Sequence, residues 1–141
     1  MRHILVGTDF SEISMRALDH AIGLARAFDA SVHLAHAVPL LRYAIGHEAE
    51  ATDPTFELKL KAELTERLNE IARTNPLQGK PLGVTLADGS PARVIPDLAQ
   101  KLNTDLIVIG THGHTGFQHL VLGSVAERIV RTAKVPVLTV H

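Results

Sequence analysis

Gly110, Gly113, Gly123 and Ser124 follow a G-x-x-G, nine-residue, G-S spacing inside the segment IGTHGHTGFQHLVLGS, residues 109–124. The segment carries four glycines, three histidines and no lysine, and it lies between an apolar run and a helix start. Glycines permit positive φ and let a ligand approach the main chain closely. A helix start presents unpaired N–H groups and the positive end of the helix dipole. Together these make a cradle for an anion, with phosphate the usual occupant. The spacing is not G-x-x-x-x-G-K-[ST], since no lysine precedes Ser124, and neither VGTDFSE nor GTHGHTG contains G-x-G-x-x-G. Two structural alternatives stand beside the cradle: Ser124-x-x-Glu127 reads as a capping box, and Gly110 as a tight turn after a strand.

His112 and His114 fall within the cradle, where they read either as ordinary surface residues or as phosphate contacts, donating more strongly when protonated. H-x-H also suggests a metal, but no cysteine or nearby carboxylate completes a ligand set, so no metal site is assigned. His119 reads as solvent-facing, and His33 and His36 as packed or capping residues of a strand. Phosphoryl transfer needs charge neutralisation by Lys, Arg or Mg²⁺ and a positioned base. No lysine or arginine lies between Gly110 and Ser124, and Arg128 comes one turn into the helix. No catalytic residue is assigned, and efficient phosphoryl transfer is not expected.

The elements that must position these residues alternate. HILVGTD reads as a strand, followed by a helix capped by Ser11 with Ala17, Leu18, Ala21, Leu24, Ala25 and Phe28 on its apolar face. SVHLAHAV is a second strand, and residues 39–52 form a loop without period. Asp53-Pro54 opens a helix to about Arg73, with Leu60, Leu64, Leu68 and Ile71 as its stripe. PLGVTLADG is a third strand; Ser90-Pro91 opens a helix carrying Val94, Ile95, Leu98, Ala99 and Leu102. DLIVIG is a continuous apolar run, expected to be a central strand buried on both faces. A helix over 124–133 and a final strand, VPVLTV, close the pattern.

Five strand–helix alternations without a linker or repeat predict one α/β domain over residues 1–141, a doubly wound five-stranded parallel sheet with helices on both faces. Ligands in such folds sit past the C-terminal ends of the strands, where strand order reverses. Pro136 cannot donate to a ladder, which places the last strand at a sheet edge, and an apolar edge invites pairing with another chain.

Composition narrows the partners. The 141 residues carry 14 Lys and Arg against 15 Asp and Glu, for a net charge of −1. That balance argues against nucleic acid as the main partner. There is no cysteine, so disulfides and thiolate metal sites are excluded. No run approaches the roughly 20 apolar residues of a membrane helix, and the N-terminus turns polar too soon for a signal-peptide core, so no membrane insertion and a cytoplasmic location are expected.

From ILVGTDFSE to PVLTVH the chain resembles the universal stress proteins. Gly110, Gly113, Gly123 and Ser124 fit without a gap the G-2x-G-9x-G-[ST] pattern that marks the family's ATP-binding branch. The resemblance implies a Rossmann-like fold of the adenine nucleotide alpha-hydrolase-like type, with ATP (or ADP or AMP) as ligand and Mg²⁺ bound through the phosphates. It implies that Gly110 and Gly113, with Ile109, His112, Gly123 and the backbone around Ser124 and Val125, hold ribose and phosphates. It places Gly7, Thr8 and Asp9 near ribose and adenine, and the main chain of Ala37, just after strand two, at the adenine edge. A carboxylate at Asp9 suits ribose hydroxyls, although a turn or cap role is also open. The resemblance further implies a homodimer through the C-terminal strand, residues 135–140. The function expected is that of a nucleotide-dependent regulatory module in stress response, acting on an unknown client protein. A slow ATPase or phosphotransferase and a partner protein that binds no nucleotide are the alternatives.

Overall fold

The structure is a computed structural model that describes residues 1–39, 54–112 and 122–141. Its strands are β1 (His3–Gly7), β2 (Ser31–Val38), β3 (Gly83–Asp88), β4 (Leu106–Gly110) and β5 (Val137–Val140). Its helices are α1 (Glu12–Phe28), α2 (Pro54–Thr74), α3 (Pro91–Lys101) and α4 (Ser124–Thr132). All strand pairs are parallel, in the order β3-β2-β1-β4-β5. The doubly wound fold class is therefore observed, and the apolar run before Gly110 is a strand flanked on both sides.

Two-residue alternation along each strand sorts side chains to opposite faces. Ile4, Val6, Val32, Leu34 and Val108 face α1 and α2, where they meet Leu18, Ala21, Leu68 and Ala72. Leu5, Ala35, Ile107 and Ile109 face α3 and α4, against Ile95, Ala99, Ala126 and Ile129. Each buried Leu, Ile or Val removed from water contributes about 1.5–3 kcal/mol, so these two layers carry most of the folding drive.

Several local expectations shift. Ser11 does cap α1, its hydroxyl accepting from Ser14 N at 3.2 Å. However, Phe28 is 58% exposed, while Ile22, outside the expected stripe, is buried. On α2 burial is concentrated at Leu68 and Ala72, whereas Leu60 and Leu64 are only half-buried. Pro136 precedes β5 and accepts from Ile107 N through its carbonyl at 3.0 Å. The strand is at the edge as expected, and the proline, just ahead of Val137, joins the ladder as an acceptor only.

Candidate functional site

Strand order reverses between β1 and β4. From β1 the chain turns to α1 on one face, and from β4 it leads to α4 on the other, so their C-terminal ends border a crevice. Gly7 and Ile109 are register partners at that border. A Cβ on Gly7 would lie 3.1 Å from Ile109 Cγ2 and 3.3 Å from Ile95 Cδ1. Gly7 and Ile109 thus have a packing role beneath the crevice.

Thr8 is buried and fastens the end of β1 in several directions. Its N–H donates to Ala35 O at 2.8 Å, and its carbonyl accepts from His36 Nδ1 at 2.7 Å. Thr8 Oγ1 lies 2.9 Å from Ser14 Oγ and accepts from Phe10 N at 3.0 Å. Ser14 Oγ in turn donates to Ser11 O at 2.8 Å. Asp9 is half-buried, and its Oδ1 accepts from Ser11 N at 3.0 Å, the turn role left open by the sequence. Phe10 has φ 65°, a left-handed conformation that is an outlier for a bulky side chain. Its ring lies 4.5 Å from that of His36 and 4.4 Å from the Arg67 guanidinium carbon.

Ala37 sits within β2, one residue before its end, rather than just after it. The strand continues that far because β3 pairs with it through Val38. Ala35 O accepts from Thr8 N on the β1 side, and Val38 O accepts from Gly89 N on the β3 side. Alternation along a parallel ladder therefore turns the Ala37 N–H and C=O to the β1 side, level with the residues past the end of β1. One residue thus offers a donor and an acceptor to the crevice.

On the β4 side, Thr111 N donates to Val140 O at 2.8 Å, and Thr111 O accepts from Gly123 N at 2.7 Å. This bond sets the start of α4 beside the end of β4. Gly123 is the N-cap at φ −71°, ψ 158°, and Ser124 is the first helical residue. The capping-box expectation is not met: no side chain caps α4, and Glu127 pairs with Arg131 at 2.5 Å. Ser124 and Val125 are exposed, and their N–H groups belong to the helix's unpaired first turn. Neither Gly110 nor Gly123 has positive φ, so close approach, not backbone freedom, explains both glycines. A Cβ at Gly110 would meet Ile13 Cγ2 at 2.7 Å, and one at Gly123 would meet Thr111 O at 2.8 Å.

His112 is half-buried with Nδ1 3.0 Å from Thr111 Oγ1. Gly113, His114 and His119, and all of the expected 39–52 loop except Pro39, lie outside the described residues. Among the described residues no group of three His, Asp or Glu side chains could hold a metal ion. His33, on β2, hydrogen-bonds Thr85 Oγ1 through Nε2 at 2.7 Å, and burial pushes its pKa below the usual 6.5. Gly83 makes room for that ring, since a Cβ there would lie 2.5 Å from His33 Nδ1. Lys61, on α2, lies 2.9 Å from Asp88 Oδ1 and 3.2 Å from Glu57 Oε1, and its hydrogen bonds to Asp88 and then Glu57 raise its pKa. Sequence reasoning assigns no site role to Phe10, His36 or Arg67. The only signal available was a bulky residue wedged between a strand end and the Ser11 cap.

The sequence matches the Universal stress protein family over residues 1–141. The chain belongs to that family. A universal stress protein of Methanocaldococcus jannaschii is 37% identical over 139 residues, covering 99% of this chain and 81% of the relative. Among solved structures, a universal stress protein in complex with cAMP is 28% identical with a TM-score of 0.73, covering 99% of this chain and 97% of that one. A family member from Archaeoglobus fulgidus in complex with dAMP, 24% identical with a TM-score of 0.66, covers 100% and 98% and shares the fold. Among the described residues no helix is long and apolar enough to cross a membrane.

Proposed function

We propose that this universal stress protein is a nucleotide-binding regulatory module that holds one adenine nucleotide in the crevice between the ends of β1 and β4. The observation that carries the reading is the Gly123 N to Thr111 O bond, which sets the open first turn of α4 directly at the end of β4. The N–H groups of Ser124 and Val125 would receive the phosphates, with Gly110, Gly113 and His112 alongside. The Ala37 N–H would donate to adenine N1 and its carbonyl accept from the N6 amino group, and the Asp9 carboxylate would accept from ribose hydroxyls. Gly7, Thr8 and Ile109 would act as the floor and anchor of that pocket. Support comes from relatives solved with cAMP and dAMP.

ATP is the ligand proposed, with ADP or AMP as exchange states and Mg²⁺ carried on the phosphates. The chain's own residues bind and orient the nucleotide and are assigned no catalytic step. We place the module in the cytoplasm, as a homodimer joined through β5, changing its association with a client protein in stress as nucleotide is bound. Mass spectrometry of the gently denatured protein tests the binding claim directly. Co-purified adenine nucleotide is the expected result, and its absence together with no titratable ATP binding would defeat the reading.

A further inference from the structure

We infer that Phe10, clamped between His36 and Arg67, is a positioning residue that fixes the Asp9 carboxylate for the nucleotide and ties the site to helix α2. The inference rests on the proposed role of Asp9. A phenylalanine at φ 65° is conformationally unfavourable and persists only where its surroundings over-determine it. Here they do. Phe10 N is held by Thr8 Oγ1 at 3.0 Å, and one side of the ring meets His36 at 4.5 Å between centroids. The Arg67 guanidinium sits over the ring at 4.4 Å, a cation–π distance. His36 in turn donates from Nδ1 to the Thr8 carbonyl, so the residues on either side of Asp9 are joined through one imidazole.

Asp9 therefore stands between two pinned neighbours, with Ser11 N on its Oδ1 at 3.0 Å. A turn this short leaves its carboxylate little freedom once Thr8 and Phe10 are fixed. Arg67 belongs to α2, whose buried anchor lies at Leu68 and Ala72, so the ring connects the crevice to a helix that otherwise contacts β2 and β3. Displacing α2 at Arg67 would loosen Phe10, and with it Asp9.

The test is a double-mutant cycle read by calorimetric ATP titration of the full chain. Phe10→Gly tolerates the left-handed backbone without strain but removes the ring, so the turn keeps its path and loses its clamp. The expected loss is about tenfold in ATP affinity, the size of one hydrogen bond to a charged group. Asp9→Asn should lose at least as much, and the double variant no more than Asp9→Asn alone. Phe10→Tyr, which keeps the ring, should retain the parent's affinity. Arg67→Ala, at an exposed position that does not endanger folding, should weaken ATP in the same direction and likewise add nothing to Asp9→Asn. Should Phe10→Gly fail to fold, the Arg67→Ala cycle decides alone. Parent-like affinity in Phe10→Gly or in Asp9→Asn, or losses that multiply in the double variants, would overturn the inference. A parent chain that binds no ATP would instead overturn the functional reading on which it rests.

Discussion

At Gly123, the hydrogen that stands in for a side chain decides whether α4 can start where it does. Valine there would force its Cβ to within 2.8 Å of Thr111 O, opposing the Gly123 N to Thr111 O bond. Gly123→Val is expected to lower ATP affinity at least tenfold, about 1.4 kcal/mol, with circular dichroism of the parent preserved. An unchanged titration would contradict the role given to this residue. Gly110 is constrained from the other side, by Ile13 at 2.7 Å, which is a branched side chain close to its own backbone. Gly110→Ala should destabilise the fold by about 1–3 kcal/mol through overpacking, read as a lower urea midpoint. His33 carries a pH prediction. Its folded pKa is depressed by burial, so below about 6.5 the unfolded chain binds a proton that the folded chain resists. Stability should therefore fall as pH drops through that value. His33→Gln, compared with the parent by urea unfolding at about pH 7.5 and about pH 5.5, should reduce this loss. An equal loss in both proteins would remove His33 as its source.

Among the elements, β5 exposes the strand edge through which dimerisation is proposed. Ile107 N donates to Pro136 O and Thr111 N to Val140 O, so even-numbered residues of β5 face β4 and the N–H groups of Val137 and Thr139 face outward. Thr139→Pro deletes one outward donor and leaves the β4 ladder intact, so light scattering should show the dimer replaced by a monomer. A dimer of undiminished stability would place the interface elsewhere. The strands were legible because short apolar runs bounded by turn residues have few other readings, and β2 falls on SVHLAHAV without adjustment. The site was legible only as far as the C-terminal ends of strands one, two and four, because alternation predicts a parallel sheet without fixing its order; the reversal between β1 and β4 comes from the structure. What the sequence could not convey is contact. Phe28 has the right spacing for a buried face but is exposed, and Ser124 has the right spacing for a capping box while Gly123 holds the cap position. The left-handed turn at Phe10 carries no glycine or asparagine to announce it, and its partners His36 and Arg67 lie 26 and 57 positions further along the chain.

For the whole molecule, the sheet forms a floor packed on both faces, and the ends of β1 and β4 border the crevice in which the nucleotide is proposed to sit. A ligand that binds only the folded state stabilises it by about 2.7 kcal/mol at a concentration one hundred times its Kd, so saturating ATP should raise Tm by several degrees. GTP should raise it less, because guanine presents a donor and an acceptor in the reverse order to the Ala37 N–H and C=O. Equal shifts for the two nucleotides would argue against the main-chain contact at Ala37. The central claim is tested most directly by calorimetric titration of nucleotide-free chain with ATP and Mg²⁺. The account predicts saturable binding near one ATP per chain; an absence of binding heat across temperatures, in protein from which no adenine nucleotide had been stripped, would contradict it.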